Sequence, residues 1–520
     1  MKRILTILIA LLSAGCLKAL PSTDLTYCRA QWSFSPDAPH ISGSVMFQFK
    51  SAREPANAID FDLSDHLHVE KIIYHNTTLP FKHKKNKLVI TLPERLEAGI
   101  PDSIEIVYHG KTVASGFGSI GFDKNSRQAW TLTQPYGGRD WWPCWQNIYD
   151  KIDSMDIYVT CPVKYKVATN GKLEGYIENG PLHTAHYKVR HPVNYYTVGI
   201  AVGDYKTAES KAVLPNNDTI GIIDYYPKTM NYPDSSLYNM ADFINYLSSY
   251  WIPYPFADEK YGQVYFNANL SIEHQTMSFL AYYDILVMAH EMVHQWFGNY
   301  VTCSGWRNVW INEGFAMIGE LTILEKFCAR SVLEWKEYAK LSALTSKKSV
   351  FVTDTTKPND LFDIATTYNK GGMVSLMLRN EIGKEAFQKG CRLILEQYAN
   401  GFATVDDARK CFETAADTSL TEFFNNWIYG VGHPIYTIKH SKTENGKTTL
   451  TIKQTTSDSS VKFYPLHVTV RLLGKDGHKK DVRLHHTQNE QKFIVETDFA
   501  VEDVIFDPES DILCKWSKRN

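Results

Sequence analysis

Two histidines four residues apart, His290 and His294 in the stretch VMAHEMVHQWFGN, constrain this chain more than any other feature. On an α-helix that spacing places both imidazoles on one face, where they can grip a single metal ion. The residues leading in, Ile285, Leu286, Met288 and Ala289, are apolar and predict a helix packed into a core. Glu291 lies between the two histidines, next to any ion they hold. A catalytic zinc site takes three protein ligands and keeps a fourth position for water, and a carboxylate serves as third ligand where only two histidines are present. Glu313, nineteen positions beyond His294 in WINEGFAMIGE, is the candidate, on a second helix expected over Asn312 to Glu320 and antiparallel to the first. Taken alone, Glu313 also reads as an acid favoured at the positive end of a helix.

Composition removes several competing chemistries. Nine cysteines in 520 residues, with no C-x-x-C pair, offer neither a disulfide scaffold nor a sulfur-based zinc or redox site. Cys391 and Cys411, on neighbouring predicted helices, are close enough in pattern to pair, with buried free thiols as the other reading. The 55 basic residues against 57 acidic ones give a net charge of -2 and no footprint for a polyanion, so no nucleic-acid partner is expected. The one basic run, KHKKNK at 82 to 87, sits between two strand-like segments and reads as a solvated hairpin tip. His485 and His486 alternate across a predicted strand and carry no function in this reading.

The chain divides by pattern. Residues 1–20 have the form of an export signal, with Lys2 and Arg3 before the run Ile4 to Leu12 and small residues Ser13, Ala14 and Gly15 before Cys16. That run is too short to span a bilayer, and no later run is long enough. The SAGC end is similar to a bacterial lipoprotein processing site, with Ser13 where leucine is usual, so a lipid anchor at Cys16 and simple cleavage both stand. The expected location is the periplasm, or the outer membrane through that anchor.

Residues 24–225 show short alternating runs such as KLVITL and SIEIVYHG between turn residues, and predict an N-terminal β domain. Helical spacing, as in Leu237, Met240, Phe243, Ile244 and Leu247, then governs 226–432. Thr404 with Asp407, and Ser419 with Glu422, have the capping-box form of helix starts. From 433 to 520 alternation returns around Asn445-Gly446, the turn chemistry of a hairpin, and predicts a C-terminal β-sandwich.

The motif and its continuation resemble the zinc signature of the gluzincin aminopeptidases, the family of aminopeptidase N and the leukotriene-hydrolysing enzyme. HEMVHQWFGN and WINEGFA match its H-E-x-x-H, eighteen residues, then Glu. GGRDWWPCWQN, TTYNKGGMVSLML, and FYPLHVTV with DPES are similar to further stretches, leaving no counterpart for the family's long C-terminal helical domain. The resemblance implies a multidomain α+β chain whose middle part is a thermolysin-like, mostly α catalytic domain. It implies one zinc per chain on His290, His294 and Glu313, with Glu291 as general base and Tyr368 as the oxyanion donor. It also implies that Glu273 in NLSIEHQTM anchors a substrate's free amine, with Gln134 as a second amine contact. Leu270, Ser271 and Ile272 replace the small residues that the family places along the substrate. The expected function is removal of N-terminal residues from peptides with a free N-terminus. A zinc hydrolase of a non-peptide substrate, of the epoxide hydrolase kind, and a non-catalytic binding protein on the same fold remain alternatives.

Overall fold

The computed structural model describes residues 23–51, 56–230 and 239–519. The expected signal 1–20, with Cys16, lies outside the described residues, as does Leu237. The architecture is multidomain α+β. An eight-stranded sheet dominates the first part, with Thr23–Phe34 paired antiparallel to His40–Ser51 and parallel to Met155–Pro162. Alternation along Thr23–Phe34 turns Cys28, Ala30, Trp32 and Phe34 inward. Trp32 packs on Trp141 and Trp142 at centroid distances of 5.0 and 5.8 Å, and donates to the Tyr108 hydroxyl, which donates onward to the Trp141 carbonyl. The basic run is a hairpin tip: Lys85 and Asn86, both at φ 58°, form the two-residue turn between Phe81–Lys84 and Lys87–Leu96.

A four-stranded sheet opens the helical middle part, in the order Tyr205–Val213, Thr219–Pro227, Tyr261–Tyr265, Met277–Leu280. A division at 225/226 therefore cuts through this sheet, because Thr219–Pro227 pairs parallel with Tyr261–Tyr265. The switch from strand to helix spacing marks where helices begin, and the domain begins two strands earlier. The helices are α1 (Met240–Tyr250), α2 (Ile285–Val293), α3 (Trp310–Phe327), α4 (Val332–Ala343), α5 (Pro358–Leu361), α6 (Gly371–Ile382), α7 (Lys384–Gln397), α8 (Val405–Ala416) and α9 (Thr421–Phe424). Among the described residues no helix is long and apolar enough to cross a membrane.

Helix α8 has the expected capping box, the Thr404 side chain accepting from Asp407 N while Asp407 accepts from Thr404 N. The second expected box does not form. Helix α9 begins at Thr421, and Ser419 turns its hydroxyl toward Glu413, which already accepts from Leu420 N. Cys391 and Cys411 are both buried free thiols.

The C-terminal part is two facing sheets. One runs Glu490–Glu496, Lys447–Thr456, Pro434–His440, Lys515–Lys518, and the other Lys479–His486, Leu466–Leu473, Asp503–Phe506. Tyr436, Ile438, Leu450, Ile452, Val468, Val470, Leu472 and Phe506 fill the space between them. His486 faces that core and His485 faces solvent. This sandwich is tied to the helices by Lys340 on Asp507 at 2.6 Å and by Glu381, which accepts from the His467 amide.

Helix α3 is the centre of the molecule: every residue from Trp310 to Leu324 is buried, so it presents no polar face. Two glycines let it sit that deep. A Cβ on Gly314 would lie 2.1 Å from the Trp310 ring, and one on Gly319 would lie 2.4 Å from Val293 Cγ2 at the crossing with α2. Overpacking costs about 1–3 kcal/mol, against the roughly 1 kcal/mol of helix propensity that alanine adds. Gly319→Ala is therefore expected to lower the melting temperature and weaken zinc binding by forcing α2 and α3 apart. A calorimetric melt and a zinc titration check this, and unchanged values in both would contradict the close crossing.

Candidate active site

Helix α2 starts at Asp284, whose carboxylate accepts from Leu286 N at 2.8 Å and Val287 N at 3.3 Å. It ends at Val293, and His294 follows as the C-cap, still in right-handed helical conformation. Each histidine is oriented through its far nitrogen. His294 Nδ1 donates to the Phe297 carbonyl at 2.9 Å, and His290 Nδ1 donates to Glu320 Oε1 at 2.7 Å. With Nδ1 protonated on both rings, each Nε2 is left as a lone-pair donor. These nitrogens stand 3.2 and 3.4 Å from the same oxygen, Glu313 Oε2.

Glu313 is placed from the first turn of α3, which Asn312 secures by donating to the Tyr196 hydroxyl and accepting from Cys303 N. The three donor atoms lie within 4.8 Å of one another. Ligands about 2.0–2.1 Å from a tetrahedral zinc are separated by about 3.3–3.4 Å, so the two nitrogens and the carboxylate oxygen fit that ion.

The electrostatics point the same way. Despite burial, the two imidazoles hold the Glu313 carboxyl down at about 2. Burial, opposed by His290 and His294 and reinforced by Glu273 and Glu313, pushes the Glu291 carboxyl up to about 8. Three carboxylates this close in a water-poor place need a cation among them.

Glu291 is only 6% exposed and borders a cleft of about 490 Å³. Glu273, at 2% exposure, is close by: one oxygen each of Glu273 and Glu291 and a nitrogen of His294 lie within 4.8 Å of one another. The N-terminal β part reaches it: Gln134 Nε2 donates to Glu273 Oε1 at 2.7 Å. Asn299 holds the Glu273 backbone carbonyl at 2.9 Å. The segment bearing Glu273 folds back on the edge strand Met277–Leu280, Ile272 and Phe279 exchanging both backbone hydrogen bonds at 2.9 Å.

Leu270 and Ser271 line the cleft. Ile272 does not: its side chain is buried in the cluster with Phe279 and Met277, so strand pairing spends it on the core. Tyr368 sits in a π-helical turn, Ile364–Lys370, that leads straight into α6. Asp363 caps that turn through Thr366 N, and the buried Lys370 ammonium ties it to the Lys348 carbonyl at 3.0 Å. The Tyr368 ring lies 5.8 Å from that of His290 and lines the same cleft. Burial, with Glu313, Glu273 and Glu291 nearby, holds its hydroxyl well above the usual range, so it remains a proton-bearing donor.

Two contributors escape the motif reading. Glu320 is seven residues after Glu313, two helical turns along the same face, so its place behind His290 was available from spacing. Trp335, which donates to Glu320 Oε2 at 2.7 Å, comes from α4 and has no such signal.

Two imidazoles and a carboxylate from the next helix, with a second carboxylate between the histidines, form a candidate metal centre of the gluzincin type. Residues 257–427 match the Peptidase family M1 domain. Aminopeptidase M1-C of Oryza sativa subsp. japonica is 25% identical over 343 residues, covering 61% of this chain and 38% of that protein. Aminopeptidase N of Escherichia coli is 29% identical over 262 residues (45% and 29%), and human glutamyl aminopeptidase 33% over 168 residues (30% and 17%). The solved M1 zinc metallopeptidase of Deinococcus radiodurans superposes with a TM-score of 0.69 at 23% identity, covering 78% of this chain and 93% of that one. Residues 257–427 are thus similar to the peptidase family M1 domain, and the chain spans well under half the length of the curated relatives named here.

His290→Ala, His294→Ala and Glu313→Ala are each expected to abolish stoichiometric zinc, measured by elemental analysis after dialysis. Glu320→Gln leaves the ligands in place but loses the carboxylate behind His290, and is expected to weaken zinc about 10–100-fold in a chelator competition. Parent-like affinity in Glu320→Gln would contradict its orienting role.

Proposed function

We propose that this protein is a zinc aminopeptidase that hydrolyses the first peptide bond of substrates with a free N-terminus. The observation that carries the reading is Glu273, a buried carboxylate beside the zinc-ligand cluster whose only side-chain donor is Gln134 among the described residues. An α-amine has a pKa near 8 and is largely cationic at neutral pH, so it supplies the positive partner that Glu273 lacks. An internal peptide bond offers no such cation, and leaving the carboxylate buried and unpaired costs free energy.

His290, His294 and Glu313 hold the zinc, which when bound acidifies water and polarises a carbonyl. Glu291 takes the proton of the attacking water as it adds to the carbonyl carbon, and delivers it to the departing amine. Tyr368 donates its hydroxyl hydrogen bond to the oxyanion of the tetrahedral intermediate, a kind of contact worth about 3–4 kcal/mol in the transition state. Glu273 and Gln134 fix the N-terminus so that the first carbonyl is the one presented. The products are the free first residue and the shortened peptide. Lys2 and Arg3 followed by Ile4 to Leu12 support export of the protein, in a bacterium to the periplasm or, through Cys16, to the outer membrane.

Glu291→Gln keeps the side-chain shape but cannot accept a proton. It should bind zinc as the parent does while kcat falls by at least about 10²-fold. Turnover near the parent rate would remove Glu291 as the base. The substrate reading is tested by comparing a peptide with its N-acetyl form. The parent should cleave only the free amine, and Glu273→Ala should lose most of that kcat/KM at unchanged zinc content. Equal cleavage of both forms by the parent would leave a zinc hydrolase of another kind.

A further inference from the structure

The charged side chains lining the cleft are His290, Glu291 and Glu320, and each already has a task. His290 is a zinc ligand in the reading above, Glu291 the base, and both oxygens of Glu320 are taken, by His290 Nδ1 and Trp335 Nε1. Among the polar neutral groups, Asn369 keeps one buried acceptor, Oδ1, without a partner among the described residues, while contacts within the protein engage Gln134, Ser271 and the Asn369 amide nitrogen. Gln134 donates to Glu273, the Ser271 hydroxyl accepts from Ala281 N, and Asn369 donates to the Ile364 carbonyl. What is left to meet a substrate side chain is mainly apolar: Met317, with Phe117, Leu270, Leu286, Val287, Phe362 and Ile364. Around the mouth, Tyr282, Tyr338 and Ile364 are 54, 65 and 61% exposed, an unusual grouping of large apolar side chains in water. The cleft, at about 490 Å³, has the size of a small-molecule site.

We infer that the residue removed is large and apolar, of the leucine, methionine or phenylalanine class, and that Leu270 is a specificity-determining side chain. The inference rests on the aminopeptidase reading and names the substrate class of that same site. Leu270 stands three positions before Glu273 in the segment that folds back on the edge strand, and it is the apolar cleft-lining residue nearest in chain to the amine anchor. A cationic or anionic first side chain would lose its water there and find no free partner of opposite charge. An aliphatic or aromatic one would instead bury its own surface against Leu270 and its neighbours.

The test measures kcat/KM for one leaving group carrying leucyl, methionyl, phenylalanyl, alanyl, arginyl, lysyl and glutamyl residues, on the zinc-loaded parent and on Leu270→Glu. The parent should favour leucyl over alanyl on the order of 10–100-fold, the effect of burying one large aliphatic side chain. It should favour leucyl over arginyl and glutamyl by at least as much. Leu270→Glu should move the leucyl-to-arginyl ratio toward arginyl by at least about tenfold, because a carboxylate now faces the guanidinium. Leu270→Ala, the milder change, should narrow the leucyl-over-alanyl preference several-fold at unchanged zinc content. Equal use of leucyl, arginyl and glutamyl substrates by the parent would overturn the inference while leaving an aminopeptidase. So would unchanged ratios in a folded, zinc-replete Leu270 variant. Failure to hydrolyse any free-amine substrate would overturn the activity itself, and this inference with it.

Discussion

The carboxylate of Glu313 lying between two imidazole nitrogens is the contact around which the rest of this molecule is arranged. Glu313 and His294 are buried and His290 opens only slightly to the cleft, and burial of an unpaired ion costs several kcal/mol even after the protein relaxes. The fold meets part of that cost by giving each imidazole a partner on its far side. His290 leans on Glu320, Glu320 on Trp335, and His294 on the Phe297 carbonyl. The same partners set which nitrogen carries the proton, so both rings offer a lone pair to one point. That arrangement requires α2 and α3 to approach closely, which explains a helix buried on all sides and a glycine where Val293 meets it.

The proposed substrate contacts come from different elements than the candidate metal site. The ligands come from two crossing helices, Glu273 from a segment folded onto a sheet edge, Gln134 from the N-terminal β part, and Tyr368 from a widened helical turn. The hydrogen bond from Gln134 to Glu273 spans 139 positions in sequence, so the proposed amine anchor is complete only when the two parts are docked. Relative movement of those parts would disturb substrate alignment before it disturbed zinc binding.

What was legible in the sequence follows the range of each constraint. His290, Glu291 and His294 declare themselves because helix periodicity is local, and the alternating strands and the hairpins at Lys85-Asn86 and Asn445-Gly446 do so because turn chemistry is local. Glu320 obeys the same local rule, yet it stands out only once His290 is known to need a partner. Trp335 and Phe117 reach the site through tertiary packing, which leaves no trace in spacing. Ile272 shows the opposite limit: it neighbours residues that line the cleft, but pairing with Phe279 turns it into the core. The Ser419 to Glu422 pattern fails because Glu413, on the preceding helix, takes the amide of Leu420 and draws the Ser419 hydroxyl, so no cap is needed where the pattern would put one. The boundary near 225 fails because composition records a change of element type, whereas the sheet joins strands from both sides of it.

The central claim is that the buried carboxylate beside the metal ligands confines hydrolysis to the first bond. A time course of an unblocked peptide incubated with the zinc-loaded protein, followed by mass spectrometry, tests it directly. The account predicts a ladder of peptides shortened one residue at a time from the N-terminus, pausing where a charged residue reaches the first position. Early appearance of internal fragments, with the N-terminal residue still attached, would contradict it.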